Sequence, residues 1–153
     1  MQARRAARRL ALDVLYEAEI RGVLPLEAFE LRAKEGWVLP SADEDQGAED
    51  PGVEPTKDMT AFARVLVGGV QEHHADIDHL IDSYADRWPI ERMPVVDRSV
   101  LRMAVFELFW SKDIPVAVAI NEAVELAKSL STDDSGRFVN GLLGRIAETR
   151  SSD

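Results

Sequence analysis

The chain has 153 residues, 46% of them hydrophobic and 30% charged, with a formal net charge of -10; this is enough apolar material for one core in about one domain, and too much for a wholly disordered chain. The absence of cysteine excludes disulfide scaffolds, thiolate nucleophiles and the common structural zinc sites, and fits a reducing cytoplasm. The acidic total argues against non-specific coating of nucleic acid, and apolar runs such as Ile114 to Ile120 fall far short of a bilayer span and do not form a secretory h-region.

Residues 3–20 place Ala7, Leu10, Ala11, Val14, Leu15 and Ala18 on one side of a helix, and Gly22 and Pro25 end it. A short helix is expected over 26–36. From about Pro40 to Asp58 the chain is rich in Pro, Gly, Asp and Glu with no hydrophobic period, which predicts a long solvated acidic loop whose removal leaves the core intact. One long helix is expected over 60–84, starting near Thr60 and carrying Phe62, Val65, Leu66, Val70, Ile77, Leu80 and Ile81. The segment 95–111 is apolar on almost every side, as a central buried helix is. Pro115 suits the first turn of a helix over 115–130. Ser131 or Thr132 is placed to cap a last helix to about Glu148, with Asp133 and Asp134 favourable to its dipole. No strand alternation competes, so the class is all-α.

Charge is unevenly spread. Arg4, Arg5, Arg8 and Arg9 all precede the first acid, Asp13. Arg4 and Arg8 share one helical stripe and Arg5 and Arg9 the next, which continues to Leu12 and Tyr16. Guanidiniums pair with phosphate oxygens through a planar fork, and a tyrosine ring stacks on an unpaired base. Two readings stand on these residues: a single-stranded RNA site, or solvated arginines with Leu12 and Tyr16 packed against a neighbouring helix. Leu12, Tyr16 and Ile20 also lie outside the main apolar face. An arginine patch on an acidic protein attracts an acidic surface, so a homodimer through the first helix is expected at high concentration, covering the arginines that RNA needs.

Other constellations carry less. His73, His74 and His79 lack the i, i+4 spacing of a helical zinc pair and are read as surface residues, so no metal site is expected. Asp133-Asp134 read as capping groups, and Glu122 and Glu125 as a solvated helix face. Without a glycine-rich phosphate loop or a nucleophile with its base, neither catalysis nor a cofactor is expected. Gly141 and Gly144, with Asn140 and Arg137, make a narrow polar face on the last helix, and the helical cost of these glycines points to close approach by a helix or a ligand.

The stretch from Arg4 to Tyr16 (RRAARRLALDVLY) resembles the arginine-rich first helix of the NusB family of transcription antitermination factors. Val96 to Arg102, continuing through Phe106-Glu107-Leu108, resembles that family's central helix. Pro115 to Lys128 (PVAVAINEAVELAK) is similar to its most recognisable segment, and Ser135 to Leu143 (SGRFVNGLL) to its closing motif. The four occur in the family's order and cover nearly all of the chain except the acidic stretch, which is longer than the family leads one to expect.

The resemblance implies two three-helix bundles packed across each other, within a single RNA-binding domain over 1–150. It implies binding of the boxA element of ribosomal RNA leader transcripts, jointly with the small-subunit ribosomal protein that doubles as NusE, so that RNA polymerase resists termination in the antitermination complex. By position it assigns Arg4, Arg5, Arg8 and Tyr16 of the first helix to RNA, with Asp97 and Arg102 of the central helix and Asp134, Arg137 and Phe138 at the start of the last. Arg9 stands where an acid can occur in the family, and adds to the basic patch. Ala6 stands where a further arginine can occur. The same module is found fused to ribosomal RNA cytosine methyltransferases, but the missing cysteine and the end of the chain at Asp153 make methylation by this chain an unexpected activity. The alternative from another class is a helical protein-interaction module without RNA readout.

Overall fold

The computed structural model describes residues 2–37, 54–86, 88–111 and 113–150, and among these there are helices and no strand. α1 (Gln2–Arg21) stops at Gly22, whose φ of 70° is the left-handed conformation that glycine adopts without strain. α2 (Pro25–Glu35) begins on Pro25, a residue with no N–H to leave unpaired at a helix start. Most of the acidic stretch, residues 38–53, lies outside the described residues, and so does the expectation of a long loop there. The next helix begins earlier than its apolar period suggests, because Thr56 rather than Thr60 caps it: the Thr56 hydroxyl accepts from the Met59 N–H at 3.2 Å.

The single helix expected over 60–84 is two helices, α3 (Lys57–Glu72) and α4 (His74–Tyr84). The chain turns at His73 (φ -103°, ψ 20°) without losing backbone pairing: its N–H donates to the Gly69 carbonyl at 3.0 Å, and its own carbonyl accepts from Ile77 at 2.9 Å. The His73 ring stacks on Trp110 with centroids 4.2 Å apart. The apolar spacing continues across the break, from Val70 to Ile77, so periodicity gave no sign of it. His73 is therefore a packed aromatic partner and not the simple surface residue expected.

A 3-10 turn (Ile90–Arg92) leads into α5 (Val95–Trp110), and Arg98 binds the two together by donating to the carbonyls of Glu91 and Met93 at 3.1 and 3.0 Å. α6 (Val116–Leu130) is preceded by Pro115 at the N-cap position, one residue before its expected place. α7 (Asp133–Arg150) is capped by Thr132, whose hydroxyl accepts from the Ser135 N–H at 3.0 Å.

α1, α2 and α3 pack mutually as one three-helix bundle, and α5, α6 and α7 as a second, with α4 against α5 and α7. α1 and α3 cross onto α5, which is the central helix of the molecule, as its continuous apolar character predicts. Leu10, Leu66, Leu101, Leu142 and Ile146 are among the fully buried side chains of the shared core, each contributing about 1.5–3 kcal/mol by its removal from water. At the crossing, a Cβ on Gly69 would lie 2.1 Å from Phe106 Cε1; only a residue without a side chain lets α3 and α5 come this close. Gly141 and Gly144 are different: a Cβ on either meets nothing within 4 Å, so no described residue makes the close approach expected there.

Candidate nucleic-acid interface

Each of the four arginines that open α1 pairs with a carboxylate, and three of them, Arg4, Arg5 and Arg8, reach across to acids on or just before the helices of the second bundle. Arg4 reaches Asp113, just before α6, at 3.7 Å, and its guanidinium lies over the Phe62 ring at 5.0 Å. Arg5 donates from Nε and Nη2 to the two oxygens of Glu122 on α6, at 3.1 and 3.0 Å. Arg8 makes the same two-pronged contact with Glu107 on α5, both bonds being 2.8 Å. Arg9 bonds Asp13 one turn along α1 at 3.5 Å.

Burial separates these side chains. Arg5 is 66% exposed and Arg4 about half exposed. Arg8 is only 3% exposed, contrary to the expectation that it faces water. It lies one turn further along the stripe it shares with Arg4, deeper in the bundle junction, and its guanidinium also lies over Phe62 at 5.6 Å. Leu12 is buried as well, which corrects its expected place outside the apolar face, whereas Tyr16 and Ile20 are 43% and 61% exposed. Glu122 is not the solvated residue expected of it: it is buried to the edge of the surface and pairs with Arg5, while its neighbour Glu125 is exposed.

The remaining site residues fall into two groups. Asp134 and Arg137 form an exposed pair in the first turn of α7, next to Phe138, whose ring meets Trp88 edge-on at 4.7 Å. Asp97 and Arg102 lie deeper. Asp97 is 0% exposed and accepts from the Ser135 hydroxyl at 2.9 Å, so it reaches the surface only through the capped start of α7. Arg102 is bound by Asp78 at 2.9 and 3.1 Å and by Glu19 at 3.4 Å. Direct contact with a ligand from Arg8 or Asp97 is closed off in this conformation, because both are under other side chains.

Electrostatics agree with this division. Glu122 raises the Arg5 pKa through its hydrogen bonds first and its charge second, with Glu125 adding to it. Burial raises the Asp13 pKa, partly offset by the charges of Arg9 and Arg32. Sequence reasoning missed Glu107, Glu122 and Phe62 as partners of the arginines. The signal for one of the acids was present: Glu107 is a lone carboxylate between Phe106 and Leu108 in an apolar stretch, and a charge in such a setting requires a partner.

Among the described residues no group of three or more His, Asp or Glu is arranged to hold a metal ion, and no helix is long and apolar enough to cross a membrane.

These features define an all-helical, two-bundle protein with an arginine-rich start to its first helix. The pattern of the NusB family matches residues 5–148, and the chain belongs to that family. It is 47% identical over 148 residues to the transcription antitermination protein NusB of Salinispora tropica, covering 97% of both chains. It is 45% identical over 150 residues to that of Thermobifida fusca, covering 98% of this chain and 92% of the other. The fold matches T. maritima NusB with a TM-score of 0.74 at 35% identity, over 95% of this chain and 90% of that one. It also matches a chain from the crystal structure of the antitermination factors NusB and NusE in complex with dsRNA, with a TM-score of 0.76 at 29% identity, over 97% and 98% of the two chains.

Proposed function

We propose that this chain is a transcription antitermination factor that binds boxA RNA of ribosomal leader transcripts together with a NusE-type ribosomal protein, and so helps RNA polymerase resist termination. The observation that carries this reading is the exposed arginine face of α1, on a chain whose fold matches a NusB solved with NusE and dsRNA. In this proposal residues 1–150 work as one RNA-binding domain, cytoplasmic and without catalysis. Arg4, Arg5, Arg9 and Tyr16 meet RNA along α1, and Asp134, Arg137 and Phe138 meet it at the start of α7. Arg8, Asp97 and Arg102 support these contacts from beneath. Phosphate contacts set position and affinity, and unpaired bases on Tyr16 or Phe138 supply recognition.

The experiment is a filter-binding titration of boxA and scrambled RNA at several salt concentrations, with and without the NusE-type partner. Preference for boxA at fixed salt, strengthened by the partner, is the expected result. Equal binding of both RNAs refutes sequence reading by this chain. The exposed side chains of Tyr16, Ile20 and Leu24 favour a second reading, a helical interaction module. Partner binding with no RNA discrimination supports that one.

The homodimer belongs to the same proposal in narrower form. With Leu12 buried, Tyr16 and Ile20 supply the apolar centre of a contact through α1.

A further inference from the structure

We propose that Glu122 is a positioning residue for RNA binding: it holds the Arg5 guanidinium so that its outer edge is presented to a phosphate. This rests on the reading of α1 as an RNA surface. A guanidinium has five N–H donors in a rigid fork. Glu122 occupies the edge formed by Nε and Nη2, at 3.1 and 3.0 Å. The far edge, formed by Nη1 and the second hydrogen of Nη2, is left for another bidentate acceptor, and the side chain is 66% exposed.

Arg8 provides an internal comparison. Glu107 takes the same edge of its guanidinium in the same way, but that side chain is 4% exposed, so its far edge meets no solvent-borne ligand. Two arginines three residues apart are thus gripped alike, one with its outer edge buried and one with it open. The difference leaves the outer edge of Arg5, and not that of Arg8, open to a ligand. Glu122 suits the task because it is itself fixed, with its side chain 11% exposed on a packed face of α6.

Two opposing effects of Glu122 on a bound phosphate have to be weighed. Its charge repels the phosphate, but from the far side of a guanidinium whose positive charge lies between the two, at a surface where the effective dielectric is high. Its grip removes rotamer freedom that an unrestrained arginine would lose on binding. For a long, exposed side chain the second effect is the larger, so loss of Glu122 weakens binding despite removing a negative charge.

The test is a fluorescence-anisotropy titration with boxA RNA over a salt series, on wild type, Glu122→Gln, Arg5→Ala and the double variant. Arg5→Ala is expected to weaken binding and reduce the salt slope by about one counterion. Glu122→Gln is expected to weaken binding about three- to tenfold at fixed salt while keeping the slope, since the Arg5 charge remains. In the Arg5→Ala background, Glu122→Gln should change nothing. The Nε–H resonance of Arg5 should be sharp in wild type and broadened in Glu122→Gln, a signature that fold stability alone does not move. If the glutamine variant fails to fold, Glu122→Asp, which keeps the charge but shortens the reach, is expected to show the same loss. Undiminished affinity in the Glu122 variant, with Arg5→Ala still weak, overturns the positioning role and leaves the RNA surface standing. Unchanged binding by Arg5→Ala overturns the α1 surface and this role together. An equal loss from Glu122→Gln in both backgrounds assigns the effect to α6 packing and overturns the proposal.

Discussion

Arg8 and Glu107 face each other through two 2.8 Å hydrogen bonds at the junction of the bundles, and both are almost wholly buried. Removal of either partner strands a charge away from water. Arg8→Ala or Glu107→Ala is expected to lose about 3–5 kcal/mol of stability, whereas joint replacement by Met and Leu should be near neutral. Chemical denaturation of the three variants checks this. A loss below about 1 kcal/mol in both single variants would show that the pair is solvated in solution. Loss of RNA binding in Arg8→Ala therefore has to be read together with its stability.

Two glycine-to-alanine changes should act in opposite directions. Gly69→Ala pushes a methyl group into the buried Phe106 ring, at an expected cost of about 1–3 kcal/mol. Gly141→Ala points into open space on a helix and is expected to stabilise by about 0.5–1 kcal/mol. Thermal melting of the two side by side gives the answer, and a rise in both midpoints would contradict the tight crossing at Gly69.

Asp13 has a pH signature. Burial raises its pKa in the folded state, so folding favours the protonated form. The stability linked to this group is fully present below the ordinary carboxylate pKa of about 3.9 and is lost as pH rises through the raised folded value. In urea titrations at successive pH values, Asp13→Asn should therefore gain on wild type as pH rises through that window. A gain of the opposite sign would mean that the Arg9 and Arg32 charges outweigh burial.

A homodimer through α1 should compete with RNA, because both use the arginine side of that helix. Sedimentation at increasing boxA RNA is expected to shift dimer toward monomer by linkage. Ile20→Glu should weaken the dimer, since Ile20 is exposed at the proposed centre. A dimer that binds RNA while keeping α1 covered would refute the competition.

Element types were legible in the sequence because helix signals are local: Gly22, Pro25 and the apolar stripe of α1 mark its extent, and the unbroken apolar character of 95–111 marks the central helix. The break at His73 was not legible, since the helical backbone pairing to Gly69 and from Ile77 runs on across it and the ring that His73 stacks against, Trp110, is far away in sequence. The arginine cluster was visible as a run of charge, but which members are open was not. Arg5 and Arg8 look alike as letters; only the crossing of α1 over α5 and α6 gives one to the interior and the other to solvent.

Each bundle is drawn from a continuous stretch of chain, and this bears on synthesis. Helices α1 to α3 are complete by Glu72, but Phe106 and Glu107 emerge some thirty residues later, a delay on the order of seconds at about 5–20 residues per second. During that interval the strip around Gly69 lacks the Phe106 ring and the Arg8 cation lacks its acid. The junction that later hides both is thus, for a time, an unfinished surface on the ribosome, and arrival of α5 supplies its apolar cover and its counter-charge together.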